Sequence, residues 1–257
     1  RFLRQPGITV TGEGIKESAE MVLRYIKDLG ADDARLVPMP GPPGGGPVVY
    51  GELKSKNPKA KTLILYQDYD VVPAKPEEWT VPPFAAEIVD AKDIGLPQEL
   101  GKVIVARGAW DTKGPMIAFF MAVKSMLEKM GDIPVNFIFT IEGEEELSSL
   151  HFKQFIDKHS DELKQADAVY FPMFQQIGNY HHILCGFTGV VKIRLVVKGG
   201  DWGGPAERDL WDVESVLVEN PAWRLIRALN SLHDSDDKVL VEGFYDNYRP
   251  LTPEERE

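Results

Sequence analysis

The sequence predicts an α/β fold: a mixed, mainly parallel sheet with helices on both faces over residues 1–187, then part of an α+β domain over 188–257. Three observations carry this. Residues 62–67, TLILYQ, are apolar on both faces, as a strand covered by helices requires, and 134–141, PVNFIFTI, read the same way. Residues 113–130 are apolar almost all round, with Lys124, Glu128 and Lys129 marking a wet end, which predicts a well-buried helix. From Gly189 to Val197 the texture changes. Val191, Ile193, Leu195 and Val197 alternate with Lys192 and Arg194, the pattern of a strand with one wet face.

The other elements follow from period and punctuation. Ile15, Ala19, Val22, Ile26 and Leu29 predict an amphipathic helix over 14–29, and Gly30 stops it. Residues 40–47, PGPPGGGP, are loop. Residues 48–53, 84–89, 102–106 and 167–171 read as strands, and 149–165 as a polar helix. Pro73, Pro76, Pro82 and Pro83 make 73–83 a surface excursion. Asn220-Pro221 opens a helix whose core face is Ala222, Leu225, Ile226, Leu229 and Leu232. One strand and one helix cannot easily bury both their faces, so the second unit is expected to be incomplete or to need a partner.

Composition narrows the function. A chain of 257 residues with 43% apolar and 10% aromatic residues can fill a sizeable core, which excludes disorder as its main state. The longest apolar stretch, Met116 to Val123, is far too short to span a bilayer. A net charge of −11 argues against a nucleic-acid backbone as partner. The single cysteine, Cys185, forms no internal disulfide, which fits a reducing compartment, and a cytoplasmic location is expected. The chain begins at Arg1, not Met, so a removed targeting segment stays open.

The chemistry is expected in three acidic clusters. Asp68 and Asp70 follow the strand 62–67, Asp111 lies between the strand 102–106 and the helix 113–130, and Glu142, Glu144, Glu145 and Glu146 follow 134–141. If these strands are parallel neighbours, all three clusters leave the same carboxyl edge, where open α/β sheets bind ligands. Converging carboxylates repel unless a cation sits between them, and a divalent metal is the usual solution. Loop acids and helix N-terminal charges give the same pattern one cluster at a time. The histidines 151, 159, 181, 182 and 233 lack metal-site spacing, Ser148-Ser149 lacks a nucleophile elbow, and the glycines lack a phosphate-loop lysine.

In order, LILYQDYDVVP (63–73), EEWTVPPF (77–84), ARGAWDTKGP (106–115) and IEGEEELSS (141–149) resemble the zinc metallopeptidase family of carnosinases, aminoacylases, acetylornithine deacetylase and glutamate carboxypeptidases. RDLWDVESVLVENPAWRL (208–225) and VEGFYDNYRPLTPEE (241–255) resemble the start of its lid domain. The resemblance implies that Asp70 orients a metal ligand, that Asp111 bridges two metals, that Glu145 is the general base and that Glu146 is a ligand. It also implies departures. The family histidine ligand falls on Asp68, a later acidic ligand falls on Pro172, a lid histidine is expected where Trp211 stands, and the usual Gly-Ser has become Ser148-Ser149. Zinc is the metal the family implies. An oxygen-only set with Asp68 leans towards Mg²⁺, Mn²⁺ or Ca²⁺, or towards no metal.

Several readings stand on these residues. One is a metal-dependent amidohydrolase acting on dipeptides or N-acyl amino acids. A second is a degenerate member acting as a binding or scaffold protein. A third is a mono-metal or metal-free variant with a shifted reaction. A plain α/β binding module lies outside the class, and there Glu145→Gln would alter only local stability. The resemblance further implies a homodimer through the lid strand 189–197 and helix 221–232, with Trp202 and Trp211 nearby.

Overall fold

Apolar residues on both faces of its central strands set the layering of the first unit. In the computed structural model, which describes residues 1–40, 45–173, 175–177, 180–182, 184 and 189–256, contacts divide the chain into Arg1–Ile183 and Leu184–Glu257. Cys185 and residues 41–44 of the proline-glycine loop lie outside the described residues.

The first unit runs α1 (Ile15–Asp28), β1 (Asp32–Val37), β2 (Val48–Leu53), β3 (Thr62–Asp68), β4 (Glu87–Asp90), β5 (Lys102–Val105), α2 (Lys113–Met130), β6 (Asn136–Glu142), α3 (Phe152–Lys158), α4 (Ser160–Leu163), β7 (Ala168–Tyr170), β8 (Gln175–Ile177) and β9 (Tyr180–His182). Five strands form one sheet in the order β1-β2-β6-β3-β7. The β1–β2 and β2–β6 ladders are antiparallel, and β6–β3 and β3–β7 are parallel. The sheet is therefore mixed.

Helices α1 and α2 cover one face. Ala19, Val22, Ile26, Met116, Phe119 and Val123 pack there with Val49, Leu65, Phe137, Phe139 and Ile141. Phe155 of α3, with Phe152 and Leu163, covers Val48, Tyr50, Ile64 and Ile138 on the other. Leu65 and Phe139 are wholly buried, and burying each such side chain contributes about 1.5–3 kcal/mol. Helix α2 ends at Gly131, whose φ of 69° is the left-handed conformation that closes a helix cheaply.

Several expectations are corrected. The polar helix expected over 149–165 is two helices, because His159 leaves helical geometry between them (φ −108°, ψ 21°). Strand β1 went unforeseen, since its sequence DDARLV opens on two acids that disfavour strands. The strands expected at 84–89 and 102–106 exist as β4 and β5, but they pair only with each other, antiparallel, outside the main sheet. The proline-rich excursion at 73–83 carries the chain off the sheet before they form.

In Leu184–Glu257 no strand forms over 189–197; these residues run as coil, and Val190, Val191 and Ile193 are exposed. A new helix, α5 (Pro221–Asn230), does form, with Pro221 at its first position and the Asn220 side chain accepting the Ala222 N–H at 2.9 Å. Its Ile226 and Leu229 remain exposed, as does Trp211. Trp202 is half-buried under the Arg224 guanidinium, 4.4 Å from its ring centroid. Among the described residues of this unit none is buried.

Candidate active site

Parallel pairing of β3 with β6, in a register that sets Asp68 against Glu142, delivers two acidic segments to the same sheet edge. Just past that edge Asp70 is fully buried. Its carboxylate accepts the backbone N–H of Glu145 at 3.2 Å and of Glu146 at 3.1 Å, together with the hydroxyl of Thr9. Asp70 thus clamps the end of β3 to the 3-10 turn Glu145–Leu147. Burial raises its pKa, and the hydrogen bonds from Thr9, Glu146 and Glu145 pull it back. Tyr69 stands beside it, buried, donating its hydroxyl to the Pro47 carbonyl at 2.8 Å. The Tyr69 ring lies so close to Gly143 that a Cβ there would come 2.3 Å from Cζ.

Asp111 arrives by another route than expected. Strand β5 is no neighbour of β3, so the sheet edge does not place Asp111; the start of α2 does. Thr112 is buried and donates its hydroxyl to the Asp68 carbonyl at 2.7 Å, which pins that start against the end of β3. The next residue, Lys113, is fully buried. Its ammonium donates to the Gln5 carbonyl at 2.7 Å and lies 5.0 Å from the Phe2 ring centroid. Burial pulls its pKa down to about 8, with the charges of Asp70 and Asp68 opposing.

Five acids share this neighbourhood. Asp68, 3% exposed, is raised well above the usual carboxylate range by burial and then by the charge of Asp70; Glu145 and Asp111 add to it, and a Thr112 hydrogen bond opposes. Burial followed by Asp70, Asp111 and Glu145 pushes Glu146 up to about 6. Glu145 is raised by burial, Asp70 and Asp111, and Asp111 by burial against Arg107. Asp68, Asp70, Asp111, Glu145 and Glu146 therefore lie within electrostatic influence of one another, with direct contact, among the described residues, only between the Asp70 carboxylate and the Glu145 and Glu146 amides. Glu142 and Glu144 turn elsewhere. Glu142 accepts the hydroxyls of Tyr66 at 2.7 Å and Ser149 at 2.8 Å, and burial pushes it up to about 7. Glu144 lies 2.9 Å from the His151 ring nitrogen Nδ1. Pro172 offers the region only a carbonyl, which accepts the Gln67 amide at 3.1 Å. Ser148 holds a left-handed backbone, φ 66°, where the resemblance expects glycine.

The donor chemistry fits a zinc centre poorly. Among the described residues, no three His, Cys, Asp or Glu side chains come together as a group able to hold a metal ion. The described imidazoles of this unit are engaged elsewhere: His151 faces Glu144, and His159 packs 5.9 Å from the Tyr50 ring and 4.6 Å from Phe155. Among the described side chains what remains is all oxygen, whereas zinc sites favour nitrogen and sulfur donors. An apolar cavity of about 610 Å³ lies apart from the carboxylates, lined by Phe2, Tyr25, Ile117, Phe120 and Met121.

Sequence reasoning missed Thr9 and Lys113. Thr9 reaches Asp70 across 61 positions and carries no local signal. Lys113 carried one: a lysine in the first turn of a helix otherwise apolar at its start.

The model of the peptidase family M20/M25/M40 matches residues 64–246. The chain belongs to that family. The M20 chain is 30% identical over 255 residues to the Cys-Gly metallodipeptidase of Schizosaccharomyces pombe, covering 94% of this chain and 49% of that protein. It is 29% identical to the beta-Ala-His dipeptidase of Rattus norvegicus, covering 89% and 43%. The crystal structure of an M20 family metallo-carboxypeptidase from Sulfolobus solfataricus superposes with a TM-score of 0.71 at 33% identity, covering 99% of this chain and 53% of that one. The chain spans about half the length of the relatives it matches. Among the described residues no helix is long and apolar enough to cross a membrane.

Proposed function

We propose that the protein is a hydrolase of short amides, dipeptides or N-acyl amino acids, and that Glu145 moves the proton. The observation that carries this reading is the Asp70 clamp on the Glu145 and Glu146 amides, which holds the exposed acid Glu145 at the sheet edge within the field of Asp70 and Asp111. Glu145 would take a proton from the water that attacks the amide carbon. As the C–O bond forms and the C–N bond breaks, it would pass that proton to the departing amine. Its raised pKa makes it a stronger base than an ordinary glutamate. Asp70 positions it through the backbone. Asp111, Glu146 and Asp68 would be the oxygen donors facing any divalent cation, zinc by family or Mn²⁺ or Mg²⁺ by donor type, but no step above passes through a metal.

In the same reading, residues 1–187 are the catalytic part, residues 188–257 begin a lid through which two copies pair, and the protein acts in the cytoplasm. The exposed Ile226 and Leu229 of α5 support the pairing. The test is amine release from Cys-Gly, β-Ala-His and an N-acetyl amino acid, with Zn²⁺, Mn²⁺, Mg²⁺ or chelator present. We expect release from at least one substrate, lowered about 10²–10⁴-fold by Glu145→Gln. Release unchanged by that substitution, or none under any condition, overturns the reading.

A further inference from the structure

Residues 5–9 belong to no helix and no extended strand, yet the chain holds them at every step. Three consecutive carbonyls are each taken by a different part of the first unit. The Gln5 carbonyl accepts the ammonium of Lys113 from α2 at 2.7 Å, and the Pro6 carbonyl accepts the hydroxyl of Ser18 from α1 at 2.7 Å. The Gly7 carbonyl accepts the backbone N–H of Val71, just past β3, at 2.8 Å. Ile8 then pairs with Val71 in a single parallel bridge. Gly7 is so closely packed that a Cβ there would meet Ser18 Oγ and the Tyr69 carbonyl at 3.0 Å and Lys113 Nζ at 3.1 Å. The segment so held ends on buried Thr9, whose hydroxyl donates to Asp70.

The carboxylate has a use for that donor. The last torsion of an aspartate side chain is broad, with little preference of its own, so its plane is set by the groups that donate to it. The Glu145 and Glu146 amides reach Asp70 at 3.2 and 3.1 Å, the long end of the N–H···O range. Both sit on one turn, so turn and carboxylate could shift together. The Thr9 hydroxyl shares Oδ2 with the Glu146 amide and comes from a segment tied to α1, α2 and β3. It anchors the clamp to the rest of the unit.

We infer that Thr9 is a positioning residue for the candidate base: through Asp70 it fixes the turn that carries Glu145, and residues 5–8 are the strap that delivers it. The role of Glu145 as base rests on the hydrolytic reading above; the hold on its amide can be measured without it.

The experiment is ¹⁵N relaxation of the full chain, read at the Glu145 and Glu146 amides, with the Phe139 amide in the middle of β6 as reference. Thr9→Val keeps the shape and removes the hydroxyl; Thr9→Ser keeps the hydroxyl. In Thr9→Val the order parameters of both turn amides are expected to fall from about 0.85 towards 0.6, or to show new microsecond–millisecond exchange, while Phe139 stays rigid. Thr9→Ser is expected to match wild type. Thr9→Ala, which removes the same hydroxyl and leaves slack, carries the test if Thr9→Val fails to fold. In amine release, kcat of the hydroxyl-free variant should fall about 10–100-fold with KM within about twofold. A residue that only stabilises the fold would lower the melting temperature and leave the turn rigid, and that result overturns the inference. So does equal loss of rigidity in Thr9→Ser, or a change in KM in place of kcat. If no amide is hydrolysed under any condition, the hydrolytic reading falls, and the relaxation data alone still decide whether Thr9 holds the turn.

Discussion

Residues 62–68 and 189–197 make an instructive pair. In the first, Leu65 is wholly buried in a strand bonded to β6 on one side and β7 on the other. In the second, Val191 is 81% exposed on a chain that forms no ladder. Both runs are rich in strand-forming residues. They differ in supply of neighbours: β3 has two strands beside it and a helix layer above each face, while the described part of Leu184–Glu257 contains the ten-residue helix α5, two single-turn helices at Asp212–Val216 and Pro253–Arg256, and no core. A strand is stabilised by what pairs with it and covers it more than by its own preference.

The sharpest way to break this contrast is to crowd the well-packed region. Gly143→Ala would drive a Cβ into the Tyr69 ring, and neither can retreat, because Tyr69 is fully buried. A loss of about 3 kcal/mol or more is expected, read as a fall of roughly 6–12 °C in the melting temperature by calorimetry. In the same measurement Val191→Asp should move the transition by less than about 0.5 kcal/mol, as for other exposed positions.

Next in size is a pH effect inside the core. Glu142 is held near 7, above its ordinary 4.5, by burial. The folded state therefore keeps a proton that the unfolded chain releases, and this group's contribution falls as pH rises from about 4.5 to about 7. Glu142→Gln removes that slope. The stability difference between variant and wild type, from denaturant titrations in chelator, should change by on the order of 2–3 kcal/mol across the window. A constant difference would show that Glu142 is charged at no cost.

In the second region, Asn220→Ala removes the cap of α5 and should cost that helix about 1 kcal/mol. The loss should appear in far-UV circular dichroism without moving the main transition. Smallest of all is Ser148→Gly. It relieves a left-handed φ of 66° and should raise stability by roughly 0.5 kcal/mol.

How much could be read from sequence follows the same division. Strands β3 and β6 and helix α2 were legible because their apolar residues must be covered on every side, and only a sheet between helices does that. Asp68, Asp70, Asp111, Glu145 and Glu146 were legible as acids following strands. The reason offered for Asp111 failed, since a buried threonine next to it does the placing and not the sheet. Thr9 was not legible, because it meets Asp70 only after distant segments have packed, and Lys113 showed only as a lone lysine at the start of an apolar helix, with nothing local to name its partner. The alternation at 189–197 records what that stretch can do beside a neighbour, and a sequence does not say whether the neighbour is there.

The Asp70 clamp has one more consequence, for how the chain finds its alignment. Its two amide donors lie just beyond β6, and its carboxylate lies just beyond β3. A slip of one residue between these strands would displace the amides by about 3.3 Å and turn every β6 side chain to the opposite face. Asp70 would then be buried with both amide donors lost and the Thr9 hydroxyl as its remaining side-chain partner, a penalty that disfavours the misaligned sheet. The same group that positions the candidate base therefore proofreads the pairing of the two strands that carry it.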